Sequence, residues 1–339
     1  MTSIRQLAQL AGVSPMTVSR ALRGVPSVHP DIRARVEALA VAHHYRPNRL
    51  AEAIMTGKTR TIGLILSSLQ GDFTSRILQG LVREANADGY QIMIAESFTD
   101  PTLIRTAVHT AIEQRVEGVV FYCNNILAIP SISILELWSH NISVVAIDAA
   151  PCELPIDLVG NDEMGIAQQA LDYLYRLGHR HIAYVGLPYG SRLAAYRTVY
   201  QQRGLSTDLL VGSLAAFTGN PDDVQQLYKA LIARSGPPTA MIGFEDRVVL
   251  HLLRAVRQQG LRVPRDCSLL GCGNLEVSAF ADPPLTTIDQ HPNELGRAAF
   301  RLLLNRMQEG NPSHDRQVKT VLIPSELITR ASCAPPRIS

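Results

Sequence analysis

Two hydrophobic periods divide the chain. Up to about residue 43, apolar positions recur at helical spacing: Ile4, Leu7, Ala8 and Ala11, then Val18, Ala21 and Leu22, then Ile32, Val36, Leu39 and Ala40. From Thr61 onward, short apolar runs alternate with helical stretches. "TIGLILSS", "YQIMIAE", "GVVFY" and "ISVVAID" read as buried strands, with helices between them over Ser75–Asp88, Thr102–Arg115 and Ile129–His140. The rhythm continues through "QQALDYLYRLG", "HIAYVGL", "TAMIGF" and "SLLGCG". Such alternation predicts an α/β body of parallel sheets flanked by helices, with ligands taken in the cleft beyond the strand ends.

The opening helices carry their own punctuation. Ser3 can cap a helix from Ile4, and Gly12 can end it in the left-handed region. Ser14 then caps a second helix, with Pro15 at the first position, where its missing N–H costs nothing. Val18, Ala21 and Leu22 face inward and leave Met16, Thr17 and Arg20 outside. Two short helices joined by a glycine turn, with a third from Pro30 to about His43, predict a three-helix helix-turn-helix domain.

Charge sharpens this. The net charge is only +2, yet residues 1–60 hold nine Lys/Arg against three acids, and the remaining residues hold 23 against 27. A basic module on a mildly acidic body points to a polyanion partner at one end. Five scattered cysteines without C-x-x-C spacing suit a reducing cytoplasm, and no apolar run is long enough to span a membrane. The start, Met-Thr-Ser-Ile-Arg-Gln, holds no export signal.

"SIRQLAQLAGVSPMTVSRAL" and "RVEALAVAHHYRPNRLAEAIMTGKTRTIGLIL" resemble the start of a lactose/galactose repressor-family transcription factor, in register from residue 3 through the body. The resemblance implies a helix-turn-helix domain (1–46), a hinge helix (47–60) and a two-lobed, periplasmic-binding-protein-like core. It places the N-lobe at 61–157 and 289–322 and the C-lobe at 158–288 and 323–331; the closing "APPRIS" reads by itself as a loose tail, 332–339. It puts Pro15, Met16 and Arg20 where bases are read, Arg20 suiting a bidentate guanine contact. Thr17, Ser19 and Asn48 fall at phosphate positions, and Ile54 at the minor-groove wedge. Glu52 departs from the family near phosphates, and His44 stands where a glycine or asparagine is usual and positive φ is expected.

In the body, the resemblance assigns Phe73, Asp148, Arg192, Glu245 and Asn274 to an effector site. Asp148 and Arg192 together suit hydroxyls or an anionic group. Glu245 stands for the family's asparagine and Gly273 for the aspartate that clamps sugar hydroxyls, which argues against an ordinary hexose held in the usual way. Either Asn274 or Glu245 compensates, or the effector differs or is absent. The implied partners are a near-palindromic double-stranded operator, a small molecule such as a sugar derivative, and a second copy of the chain; the implied location is the bacterial cytoplasm at the nucleoid.

Other chemistries find little support. "TGKT" lacks the first glycine of a phosphate loop, and no strand precedes it. His179-x-His181 has no acidic or cysteine partner nearby, so no metal is expected. With no nucleophile elbow, H-E-x-x-H or complete G-x-G-x-x-G, neither an enzyme nor a cofactor is expected. The rival to a DNA-reading regulator is a cytosolic small-molecule-binding protein.

Overall fold

Ser3 opens the first helix with a reciprocal cap: its hydroxyl accepts from the Gln6 N–H, and the Gln6 side chain accepts from the Ser3 N–H. This computed structural model describes residues 2–45, 53, 56–98, 100–122, 130–148, 154–207, 210–212, 221–310 and 317–337. Helix α1 (Ile4–Ala11) ends at Gly12, with φ at 65°. Ser14 caps α2 (Pro15–Leu22), and α3 (Pro30–Ala42) completes the bundle. Leu7, Ala8, Ala11, Val18, Ala21, Val28, Val36 and Ala40 form its core. Beyond α3, His44 adopts φ 48°, the left-handed conformation expected at that position. Residues 1–60 form one compact unit and Thr61–Ser339 another.

The second unit holds two six-stranded sheets. Its elements run β1 (Thr61–Leu66), α4 (Asp72–Ala87), β2 (Gln91–Glu96), α5 (Pro101–Glu113), β3 (Gly118–Tyr122), α6 (Ser131–Ser139), β4 (Ser143–Ile147) and β5 (Asp157–Asn161). There follow α7 (Glu163–Arg176), β6 (Ile182–Gly186), α8 (Ser191–Gln202), β7 (Leu210–Gly212), α9 (Pro221–Ser235), β8 (Ala240–Gly243), α10 (Asp246–Gln258) and β9 (Ser268–Cys272). The chain closes with α11 (Glu276–Phe280), β10 (Thr286–Asp289), α12 (Pro292–Glu309), β11 (Thr320–Ile323) and β12 (Glu326–Ile328). The first sheet is ordered β11-β5-β4-β3-β1-β2 and the second β12-β10-β9-β8-β6-β7. Every neighbouring pair is parallel except β10 with β12. Strands β3, β4, β6, β8 and β9 are buried at every position, as parallel strands covered on both faces must be.

Two boundaries differ from the sequence expectation. The first passage between lobes falls after Asn161, not after residue 157, because β5 pairs with β4 and β11 in the N-lobe sheet. Asp157 anchors it there: its carboxylate accepts from Arg306 at 2.5 and 2.7 Å and from the Lys319 N–H at 2.8 Å, all within the N-lobe. Nor are residues 332–337 a loose tail. Ser332 is fully buried, donates to the Leu269 carbonyl at 2.5 Å and accepts from the Thr286 N–H at 2.8 Å. Arg337 pairs with Asp266 at 3.0 Å. The closing residues read as a tail in the sequence, but their hydrogen bonds run to residues more than forty positions away.

At the passages, the Asn161 amide donates to the Gln290 carbonyl, and the Gln290 amide donates to the Asn161 side-chain oxygen, both at 2.9 Å. Helices α4 and α12 meet through small residues. A Cβ on Gly296 would stand 2.0 Å from the Ile77 carbonyl oxygen, and one on Gly80 equally close to that of Asn293. We therefore expect Gly296→Ala to lower unfolding free energy by about 1–3 kcal/mol, as overpacking does. Urea denaturation followed by circular dichroism checks this; an unchanged midpoint would contradict it.

Candidate functional site

The amino-terminal unit exposes one face of α2. Pro15, Met16 and Arg20 are exposed on it, while Val18 and Ala21 are buried beneath. Thr17 is half-buried, with its hydroxyl 2.9 Å from that of Ser14 and its N–H capped by the same serine. Ser19 is also half-buried and holds the Arg23 guanidinium through its carbonyl. Arg33 donates to the Val25 carbonyl at 2.9 Å, pinning the loop after α2. Arg5, Arg20, Arg23 and Arg35 are all exposed. The arrangement is a rigid, capped helix presenting an arginine fork and a methionine. Asn48 and Ile54 lie outside the described residues.

The second site is a cavity of about 200 Å³ between the lobes. The C-terminal ends of parallel strands build it. Tyr122 closes β3, Asp148 follows β4, Phe244 and Glu245 follow β8, Cys272 ends β9 and Gly273 follows it. Phe73 and Thr74 from the first turn of α4, Arg192 from α8 and Gln290 complete much of the wall. Asp148 is turned into position by a left-handed backbone, φ 50°, and its N–H donates to the Val159 carbonyl at 2.7 Å.

The guanidinium of Arg192 is committed. Nε and Nη2 donate to the two Glu163 oxygens at 2.6 and 2.8 Å, and Nη1 donates to the Phe244 carbonyl at 2.8 Å. Nη1 also reaches the Cys272 sulfur at 3.7 Å, and the group lies 4.7 Å from the Phe244 ring centre. Burial disfavours its charge, but Glu163 at bidentate distance outweighs that and keeps it protonated. Asp148 differs: burial, then repulsion from Glu163, pushes its carboxyl up to about 6 against the pull of Arg192. Burial likewise pushes the Cys272 thiol up to about 12, keeping it a neutral wall group.

Of the residues assigned to this site from sequence, Phe73, Asp148, Arg192 and Glu245 meet at the cavity. Asn274 does not. Its amide nitrogen donates to Asp289 at 2.9 Å and its oxygen accepts from Arg330 at 2.7 Å, placing it outside the lining. Glu245 pairs with Arg247 at 2.9 Å. His179 is a structural group: it is buried, with Nδ1 3.0 Å from the Thr239 hydroxyl and Nε2 2.9 Å from the Ala334 carbonyl oxygen.

Known proteins share this architecture throughout. Residues 3–48 match the lacI family of bacterial regulatory proteins, and residues 171–333 a periplasmic binding protein-like domain. The transcriptional repressor CytR of Escherichia coli (strain K12) is 30% identical over 335 residues, covering 97% of this chain and 96% of that one. The chain belongs to the LacI family of bacterial regulatory proteins. The ribose operon repressor of the same organism is 28% identical, over 95% of this chain and 98% of that one. A Lac repressor dimer bound to operator and the anti-inducer ONPF superposes with a TM-score of 0.81 at 26% identity, over 98% of this chain and 99% of that one. This LacI-family chain is a DNA-binding transcriptional regulator and not an enzyme.

Sequence reasoning on this LacI-family regulator missed Glu163, Tyr122, Cys272 and Gln290. Glu163 opens α7 one residue after the Asp162 cap, where an acid ordinarily complements the helix dipole. Nothing local connects it to Arg192, which lies 29 residues on. Asp246 was also passed over. It is fully buried and accepts from Ser278 at 2.6 Å, Thr287 at 2.5 Å and the Leu275 N–H at 2.8 Å, which fixes the loop after β9.

Proposed function

We propose that this regulator is a repressor acting as a homodimer on near-palindromic operator DNA in the cytoplasm, with its affinity set by a small molecule held between the lobes. Pro15, Met16 and Arg20 read bases in the major groove; Thr17, Ser19 and Asn48 hold phosphates; Ile54 wedges the minor groove. Phe73, Asp148 and Glu245 contact the effector, while Arg192 and Glu163 form the wall behind it. The observation that carries the reading is the exposed Met16 and Arg20 on a capped helix whose other face is core. The operator-bound Lac repressor dimer supports the dimeric part.

An effector between the lobes favours one lobe arrangement over another, and it shifts operator affinity only by its differential affinity for the two. Selection of binding sites from random DNA with the full-length protein tests the reading. A two-fold symmetric motif is expected. Arg20→Ala should lose about 1–3 kcal/mol of base discrimination at one symmetric pair of positions. No enrichment by the wild-type protein, or an unchanged motif from the variant, would reject the corresponding assignment.

A further inference from the structure

We infer that the molecule held between the lobes carries a positively charged nitrogen on a polar body about the size of a monosaccharide, and that Asp148 receives the cation. This rests on the effector reading above and narrows it to a class of ligand.

The charge inventory of the cavity leads there. Asp72, Asp148 and Glu245 line it with Arg192 and Arg247, and Glu163 stands behind Arg192. Both arginines are matched within the protein. Arg192 is held by Glu163 through two bonds, and Arg247 by Glu245 at 2.9 Å. Asp72 has Arg76 at 3.7 Å. Asp148 is the exception: among the described residues its carboxylate takes part in no ion pair or hydrogen bond. Counting Arg76, four carboxylates oppose three guanidiniums, and the one in surplus is a half-buried acid that faces the cavity.

An unpaired carboxylate in such a place is costly unless a ligand supplies the partner. An ammonium does so directly. A carboxylate or phosphate ligand meets the opposite situation, since Arg192, the buried arginine in the cavity lining, offers its fork to Glu163 and must be pulled away before it can bind an anion. Gly273, where the family carries an aspartate for sugar hydroxyls, removes an acceptor from one side of the cleft and leaves Asp148 as the principal charged contact.

The remaining wall suits a small polar cation. Phe73, Tyr122 and Phe244 offer aromatic surface, which attracts cations, and Gln70, Thr74 and Gln290 offer neutral hydrogen-bonding groups. At about 200 Å³ the cavity exceeds the volume of roughly 150 Å³ known to hold benzene, and falls short of the larger pockets that take drug-sized ligands.

Isothermal titration of the full-length protein at pH 7.5 tests this with two matched sets: glucosamine, glucose and glucose 6-phosphate, and N-methylglucamine, sorbitol and gluconate. The amine of at least one set should bind at least about tenfold more tightly than its neutral counterpart, with the anion weakest. Asp148→Asn should erase the amine preference, while a far-UV circular dichroism spectrum like the parent's and cooperative urea unfolding show that the variant is folded. Equal or tighter binding of a neutral or anionic member overturns the inference, as does no binding by either amine at about 10 mM. The effector reading is judged separately, by whether any member of the sets alters affinity for the selected operator.

Discussion

Glu163→Ala is expected to lower the unfolding free energy by about 3–5 kcal/mol, the largest effect of any single substitution in the cleft. Arg192 is only 7% exposed, and Glu163 supplies two of its hydrogen bonds and its compensating charge. Without Glu163, the guanidinium keeps the Phe244 carbonyl and a distant sulfur, too little to offset desolvation. Removing both partners in Glu163→Ala/Arg192→Leu should restore most of the loss, because no uncompensated charge then remains. Chemical denaturation of the two variants and the parent measures this. A loss below about 1 kcal/mol would place the pair with ordinary exposed ion pairs and remove its role as the fixed wall of the cleft.

Asp148→Asn should do the reverse and stabilise the ligand-free protein at pH 7.5 by about 1–3 kcal/mol. An aspartate in the unfolded chain titrates near 3.8, whereas Asp148 in the folded state titrates near 6. The folded state therefore binds the proton more tightly. The penalty is fully present above about pH 6, diminishes as pH falls, and is gone below about pH 4. Burial sets it first, then repulsion from Glu163, against the pull of Arg192; Tyr122 and Glu245 face the same cavity. The gain from the substitution should shrink accordingly between pH 7.5 and pH 4, read as the difference in unfolding free energy between variant and parent. A pH-independent difference would locate the effect in packing rather than in charge. The same carboxylate that costs stability is available to a cation, a trade common at binding sites.

Much of the head was legible because its determinants are local. A serine three residues before a glutamine, a glycine after an alanine and a proline after a serine each specify a helix end through atoms only a few bonds apart. The exposed Met16 and Arg20 followed from the burial of Val18 and Ala21 by helical period alone. His44 could be marked for positive φ because the resemblance puts it where a glycine or asparagine usually ends the third helix. The parallel sheets were legible for a related reason: a strand covered on both faces must be apolar at nearly every position, and "GVVFY" and "SVVAI" are.

The cleft was legible in its parts and not in its pairing. Asp148 and Arg192 could be located by the strand and helix that carry them. A carboxylate and an arginine facing a cleft suited hydroxyls or an anionic group in sequence terms, and what the sequence did not show is that the arginine is bonded to Glu163. Asn274 failed for a similar reason, since Asp289 and Arg330 reach it from 15 and 56 residues away.

From its sequence alone, this chain determined a capped three-helix head with one basic, exposed face, and a body of alternating strands and helices built as buried parallel sheets. Those features depend on period, capping and side-chain volume, which act between neighbours. Only the tertiary structure decided which acid neutralises which arginine, where the first passage between lobes falls, and that residues 332–337 are bound to the C-lobe. Charge pairing and hydrogen bonding act over a few ångströms whatever the separation along the chain, so their partners emerge when the sheets and helices are assembled.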